Sequence, residues 1–163
     1  MDISYLGKSN FKIKTKTGSV VAGPDKLVVS HRGEGDEFII REPGEYEVEG
    51  ISVFGFQAEG ARVYVVQFED IRVLYLDSLT KPLGEKVLTE LDNIDVVVVP
   101  TDTMNLKDIL DLVAKLEPYY VLPFGEATSK FITAYEHGSR TVKSLNLSKL
   151  TLSEDLTEVI VFE

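Results

Sequence analysis

The apolar positions of this chain change period about halfway along it. In the first half they come in short runs that alternate with polar residues, the pattern of strands with one buried face. Ile3–Leu6, Phe11–Thr15 and Ser19–Ala22 are the first three, broken at Gly7 and at Thr17-Gly18. Lys26–Ser30 follows Gly23-Pro24-Asp25, a strong turn signal. Glu37–Arg41, Glu45–Glu49, Ile51–Phe56, Arg62–Phe68 and Ile71–Leu76 continue the series, rich in the β-branched and aromatic residues that suit a pleated surface. Glu69-Asp70 reads as a two-residue loop between the last two.

The second half mixes helical and strand spacing. Val87, Leu88 and Leu91 fall on one face of a helix over Glu85–Leu91, and Leu106–Leu116 carries Leu106, Ile109, Leu110, Val113 and Leu116 at helical spacing. Ile94–Val99, with its uninterrupted apolar run from Val96 to Val99, reads as a fully buried strand. Tyr119–Leu122 reads as a strand, Thr128–Tyr135 as a short helix, and Glu158–Phe162 as a closing strand. A strand-rich first half followed by βαβαβ predicts a layered α/β (α+β) domain. No linker-like stretch divides it, so residues 1–163 are expected to form one domain.

Composition narrows the class of protein. Hydrophobic residues at 44% and charged residues at 27% belong to a folded chain rather than a disordered one. No apolar run approaches the roughly 18 residues of a membrane span, so no membrane association is expected. The opening residues alternate like a strand rather than forming the basic and apolar regions of a secretory leader. Cysteine is absent, which removes disulfides and thiolate chemistry and fits a cytoplasmic location. The net charge of −10 opposes binding to a phosphate backbone. Lys8, Lys12, Lys14 and Lys16 form the one basic cluster, and residues 12, 14 and 16 share a strand face, read as solvated rather than as a nucleic-acid patch.

Four segments stand out as strand ends opening into polar loops, where sites on layered α/β folds tend to sit. They are Leu6-Gly7-Lys8-Ser9-Asn10-Phe11, Val28-Val29-Ser30-His31-Arg32-Gly33-Glu34-Gly35-Asp36-Glu37, Glu42-Pro43-Gly44-Glu45-Tyr46 and Val99-Pro100-Thr101-Asp102-Thr103. In the third, Pro then Gly suits the centre of a type II turn. Taken in order, these motifs resemble the metallo-β-lactamase superfamily, in particular its compact branch related to ascorbate-6-phosphate lactonase. Leu6 to Phe11 stands in the place of Leu-Gly-His-Ser-x-Phe, and Ser30 to Asp36 in that of Thr/Ser-His-x-His-x-Asp-His. Glu42 to Glu47 is similar to Gly-Pro-Gly-Glu-Tyr-Glu. Leu76-Asp77-Ser78-Leu79-Thr80-Lys81-Pro82-Leu83 and Leu116-Glu117-Pro118-Tyr119-Tyr120-Val121-Leu122-Pro123-Phe124-Gly125 complete the likeness.

The resemblance implies an αββα sandwich and a metal-dependent hydrolase in which zinc or manganese activates a water. It also implies that most of the ligands are lost. Of the histidine-rich motif only His31 matches, with Gly33, Gly35 and Asp36 in the other ligand places. Ser78 falls on the bridging carboxylate, although a shift of one residue puts Asp77 there. Phe124 and Gly125 occupy the place of the late histidine. Lys8 and Lys81 replace pocket histidines and are expected to supply positive charge beside Asp36, Glu34 or Asp77. The former pocket is thus expected at Lys8, His31, Gly33, Gly35, Asp36, Ser78, Lys81 and Phe124, with His31, Asp36 and Asp77 as the catalytic candidates. His31 and Asp36 are the metal candidates. The expectation is a non-catalytic binding or assembly module without cofactor, with a small molecule or protein as partner and self-association into a homo-oligomer. The competing reading is a divergent metal-dependent hydrolase of a lactone, phosphodiester or similar ester, rebuilt around His31, Glu34, Asp36 and Asp77. His137, near the capping Gly138, reads as the end of a helix.

Overall fold

A computed structural model describes residues 1–33, 35–152 and 156–163. Glu34, one of the acids named above, lies outside the described residues. The strands expected from sequence are present: β1 (Asp2–Gly7), β2 (Asn10–Lys14), β3 (Gly18–Ala22), β4 (Leu27–His31), β5 (Glu37–Ile40), β6 (Gly44–Val48), β7 (Ile51–Ala58), β8 (Ala61–Phe68) and β9 (Ile71–Tyr75). The helices are α1 (Glu85–Glu90), α2 (Leu106–Leu116) and α3 (Thr128–Tyr135), separated by β10 (Val96–Pro100) and β11 (Tyr120–Phe124). Two further short strands, β12 (Ser139–Val142) and β13 (Leu145–Asn146), and a single 3-10 turn at Lys149–Thr151 precede β14 (Glu158–Phe162).

The strands build two sheets. The first, in the order β13-β1-β2-β3-β4-β5, is antiparallel throughout. The second runs β12-β14-β11-β10-β9-β8-β7-β6, antiparallel from β6 to β9 and parallel from β9 to β12. The chain crosses between sheets at Pro43 and Gly44. Gly44 takes a φ of +145°, a conformation that favours glycine, so the Pro-Gly pair does reverse the chain there.

Alternation along the strands decides the layers. Phe11, Ile13, Val20, Leu27 and Val29 of the first sheet face Val53, Val66, Val73, Val98 and Leu122 of the second. The opposite face of the second sheet, with Val63, Val65, Leu74, Val97 and Val99, packs under Ile109, Leu112 and Val113 of α2 and Phe131 of α3. All five residues of β10 are buried because both of its faces are covered. α2 is held at its start by Asn105, whose side chain accepts from the Lys107 amide at 2.9 Å, and stops where Glu117 turns left-handed before Pro118.

The layered sandwich expected from the sequence is the architecture found, with one refinement. Among the described residues the three α-helices form a single layer, on the second sheet. The outer face of the first sheet, where Ser4, Lys12, Val21, Val28 and Ile39 stand in one cross-strand row, carries no helix. A four-residue turn, 23–26, joins β3 directly to β4, which leaves no length for a covering helix between them.

Candidate functional site

The carboxyl ends of β9, β10, β11 and β14 point to one edge of the sandwich, the place where ligands bind on parallel α/β sheets. The loops leaving three of these strands bring Asp77-Ser78, Thr101-Asp102 and Gly125-Glu126 to that edge. From the first sheet comes the β1–β2 turn, Lys8-Ser9, where both residues adopt positive φ (50° and 63°), the geometry of a tight hairpin. The Tyr75 hydroxyl, rooted in β9, donates to the Ser9 carbonyl at 2.6 Å and ties the two sheets together.

Between them lies a cleft of about 450 Å³ lined by Tyr5, Lys8, Ser9, Phe11, Phe124 and Phe162, among others. Its floor is an aromatic cluster. The Phe11 ring lies 4.8 Å from Tyr5, 5.3 Å from Phe124 and 5.9 Å from Phe162, the last two edge to face, an arrangement that favours aromatic pairs. One wall is fixed by Asp102, whose two carboxylate oxygens accept from the amides of Glu126 and Ala127 at 2.9 and 3.0 Å. It thereby supplies the cap that α3 lacks from its own N-cap residue, Ala127. Thr101 donates to the Phe124 carbonyl at 2.9 Å and Thr128 to the Gly125 carbonyl at 2.8 Å. The strand-end segment Thr101-Asp102 was visible in the sequence as a polar opening; its clamp on α3 depends on two strands adjacent only in the fold.

Asp77 sits just after β9 and is 8% exposed. Burial holds its carboxyl above the usual carboxylate range. The Ser78 hydroxyl, 3.0 Å from Oδ2, and a contribution from Ser9 partly oppose this, while Asp25 adds to it. Burial, with Asp77 and Tyr5 nearby, likewise raises the Tyr75 phenol. Ser78 adopts a φ of +63°, turning the chain at the point where the resemblance sought a bridging carboxylate.

The expected pocket does not assemble as one site. Lys8, Ser78 and Phe124 are at the cleft edge with Asp77, but His31, Gly33, Gly35 and Asp36 are at the other end of the first sheet. The strand register explains this. β4 is antiparallel to β3, with Leu27 opposite Ala22 and His31 opposite Gly18, so His31 ends the sheet away from the Lys8-Ser9 turn. Five residues at about 3.3 Å each put it roughly 15 Å from that edge. There His31 Nδ1 pairs with Glu49 Oε2 at 2.6 Å, and Asp36 is exposed.

The lysines also differ from expectation. Lys81 Nζ pairs with Glu59 at 2.5 Å in the open, and among the described residues Lys8 has no ion-pair partner. His137 stacks edge to face on Tyr135 at 4.6 Å, and the residue ending α3 is Glu136 in a left-handed conformation rather than Gly138.

A catalytic zinc or manganese needs about three nitrogen or oxygen ligands on one side of a pocket. Among the described residues no three His, Asp or Glu side chains gather in that way, and Asp77 has hydroxyls rather than imidazoles for neighbours. These donors do not fit the ion.

Two sheets with one helical layer and a cleft at the strand carboxyl ends define a layered α/β sandwich. Residues 30–125, more than half of the chain, match the beta-lactamase superfamily domain, and the chain belongs to that family. It is similar over 100% of both chains to a candidate Zn-dependent hydrolase of the metallo-beta-lactamase superfamily from Thermotoga maritima, at 20% identity and a TM-score of 0.83. A second similar structure is a candidate metal-dependent hydrolase from Parabacteroides distasonis, at 10% identity, TM-score 0.51, and coverage of 93% of this chain and 97% of that one. These likenesses carry the fold. No curated protein matches the chain.

Proposed function

We propose that this chain is a non-catalytic member of the superfamily that works as a binding module, with the aromatic cleft at the Lys8 edge as its ligand seat. The observation that carries the reading is the division of the candidate ligands. His31 and Asp36 stand at one end of the first sheet, and Asp77 stands at the other edge with no imidazole beside it. A water-activating ion needs its donors within about 2 Å of one point, and a separation of some 15 Å defeats that. The same separation argues against the rebuilt hydrolase, whose named residues span both edges.

What the cleft offers instead is an apolar floor with a few polar groups at its rim, the make-up of a small-molecule seat. Tyr5 and Phe162 provide accessible apolar surface backed by the buried Phe11 and Phe124 rings, and the Lys8 ammonium stands exposed beside it. An organic molecule with a planar apolar body and an anionic group satisfies both.

The test is metal content after native purification, together with melting in added zinc or manganese. Substoichiometric metal and an unmoved melting temperature are the expected result. One tightly held transition metal per chain, or turnover of a lactone or phosphodiester that a chelator abolishes, would refute the reading.

A further inference from the structure

β5 is the terminal strand of the first sheet, so one side of it has no neighbour within its sheet. Such an edge is a template for pairing unless it is blunted by charge, proline or a bulge. This one is not blunted at its centre. It reads Glu37-Phe38-Ile39-Ile40, followed by Arg41, and both Phe38 and Ile39 are 43% exposed. They are among the few large apolar side chains left open among the described residues, one on each face of the strand. The Phe38 ring lies 6.1 Å from Tyr46 of β6, so the apolar surface continues to the edge of the second sheet.

The charges on this strand are arranged symmetrically about its middle. An antiparallel copy placed by a two-fold axis through Ile39 sets Ile39 opposite the partner's Ile39, and Phe38 opposite the partner's Ile40. It sets Glu37 opposite the partner's Arg41, and Arg41 opposite the partner's Glu37. From position 37 to 41 every facing pair is then apolar–apolar or acid–base, the combinations that stabilise neighbouring strands. A chain of net charge −10 repels its own copy over most of its surface, so self-association needs a place where charge balances locally. The β5 edge is such a place. One step further out Asp36 faces the partner's Glu42, and Arg62, 3.7 Å from Glu42, offsets that acid.

We infer that the β5 edge is a two-fold interface for a second copy of this chain, joining the first sheets of two molecules into one continuous antiparallel sheet. The interface is isologous, so each residue is used twice. The proposal is independent of the cleft and of whatever the cleft binds.

The experiment uses the full chain and two charge reversals, Glu37→Arg and Arg41→Glu, in sedimentation velocity over a concentration series. Both positions are exposed, and far-UV circular dichroism and melting confirm that each variant is folded. The wild type is expected to dimerise. Each variant alone places like charges at both ends of the interface and is expected to lose affinity at least about tenfold. Mixing the two variants pairs two arginines on one copy with two glutamates on the other, and is expected to restore a one-to-one dimer. A wild type that stays monomeric at every concentration overturns the proposal. So does a dimer that either single reversal leaves intact, or a mixture of the two that fails to associate.

Discussion

The contact between Gly125 and Asp102 is the most specific in the cleft wall, and Gly125→Ala tests it. A Cβ at this position meets Asp102 Oδ2 at 2.4 Å, Asp102 Cγ at 2.7 Å and Thr101 Oγ1 at 2.8 Å. The backbone φ of +115° is also one that side chains rarely adopt. The strain alone is about 1–3 kcal/mol. Displacing the carboxylate loosens its bonds to the Glu126 and Ala127 amides, and hydrogen bonds to a charged group are each worth about 1.5–3 kcal/mol. Because the two costs share a cause they do not add fully, and about 2–5 kcal/mol is expected. For a chain of this size that lowers the melting temperature by about 5–15 °C. Urea unfolding followed by far-UV circular dichroism, with an unchanged m-value, measures it. Asp102→Ala destabilises in its own right, and in that background Gly125→Ala is expected to cost only the backbone strain and the remaining Thr101 contact, because the clashing carboxylate is gone. A wild-type-like midpoint for Gly125→Ala, or full additivity in the double variant, would refute the reasoning.

Two further outcomes follow from residues that the resemblance singled out. Because burial raises the Asp77 carboxyl above its unfolded value, the folded chain keeps that proton to higher pH than the unfolded chain does. Its contribution to stability is therefore greatest below the ordinary carboxylate range and declines as pH rises through the raised value. Asp77→Asn should remove this decline and leave stability at neutral pH equal to or above that of the wild type. Urea titrations across acidic to neutral pH check it, and a wild type that gains on the variant as pH rises contradicts it. His31→Ala breaks only a half-exposed pair with Glu49, so a loss below about 1 kcal/mol is expected by the same unfolding assay. A loss several times larger would mean that His31 anchors more than the Glu49 contact.

Periodicity was enough to locate the long elements. β7, β8, α2 and β10 carry their buried apolar residues at the spacing each element requires, and tertiary packing had nothing to override. β12 and β13 escaped because their pairing does not depend on an apolar pattern. Three of the four residues in β12 are exposed, and β13 is two residues long. The candidate site was legible only in part. Asp77, Phe124 and Lys8 meet at one edge, as the ordered motifs suggested. His31 does not, and the reason was also present in the sequence. Gly23-Pro24-Asp25-Lys26 is long enough for a hairpin but far too short for the crossover of a dozen or more residues that a parallel β4 would need. Motif order carried no information about strand direction, and turn length did. The aromatic floor was hidden for a different reason: Phe11, Phe124 and Phe162 are distant along the chain and converge only once both sheets form.

That short turn also limits how this protein can change. Placing histidines at positions 33 and 36 and an aspartate at 35 would complete the motif of the resemblance letter by letter, yet the new imidazoles would gather at the Glu49 end of the sheet, a full strand length from Asp77. Substitution within this motif therefore offers no route to an ion at the cleft edge. Reaching one requires either new ligands drawn from the cleft's own loops or an insertion between Ala22 and Leu27 long enough to reverse β4. The barrier is one of connectivity: a four-residue turn fixes the direction of β4 and so keeps its outgoing loop a strand length away from the cleft edge.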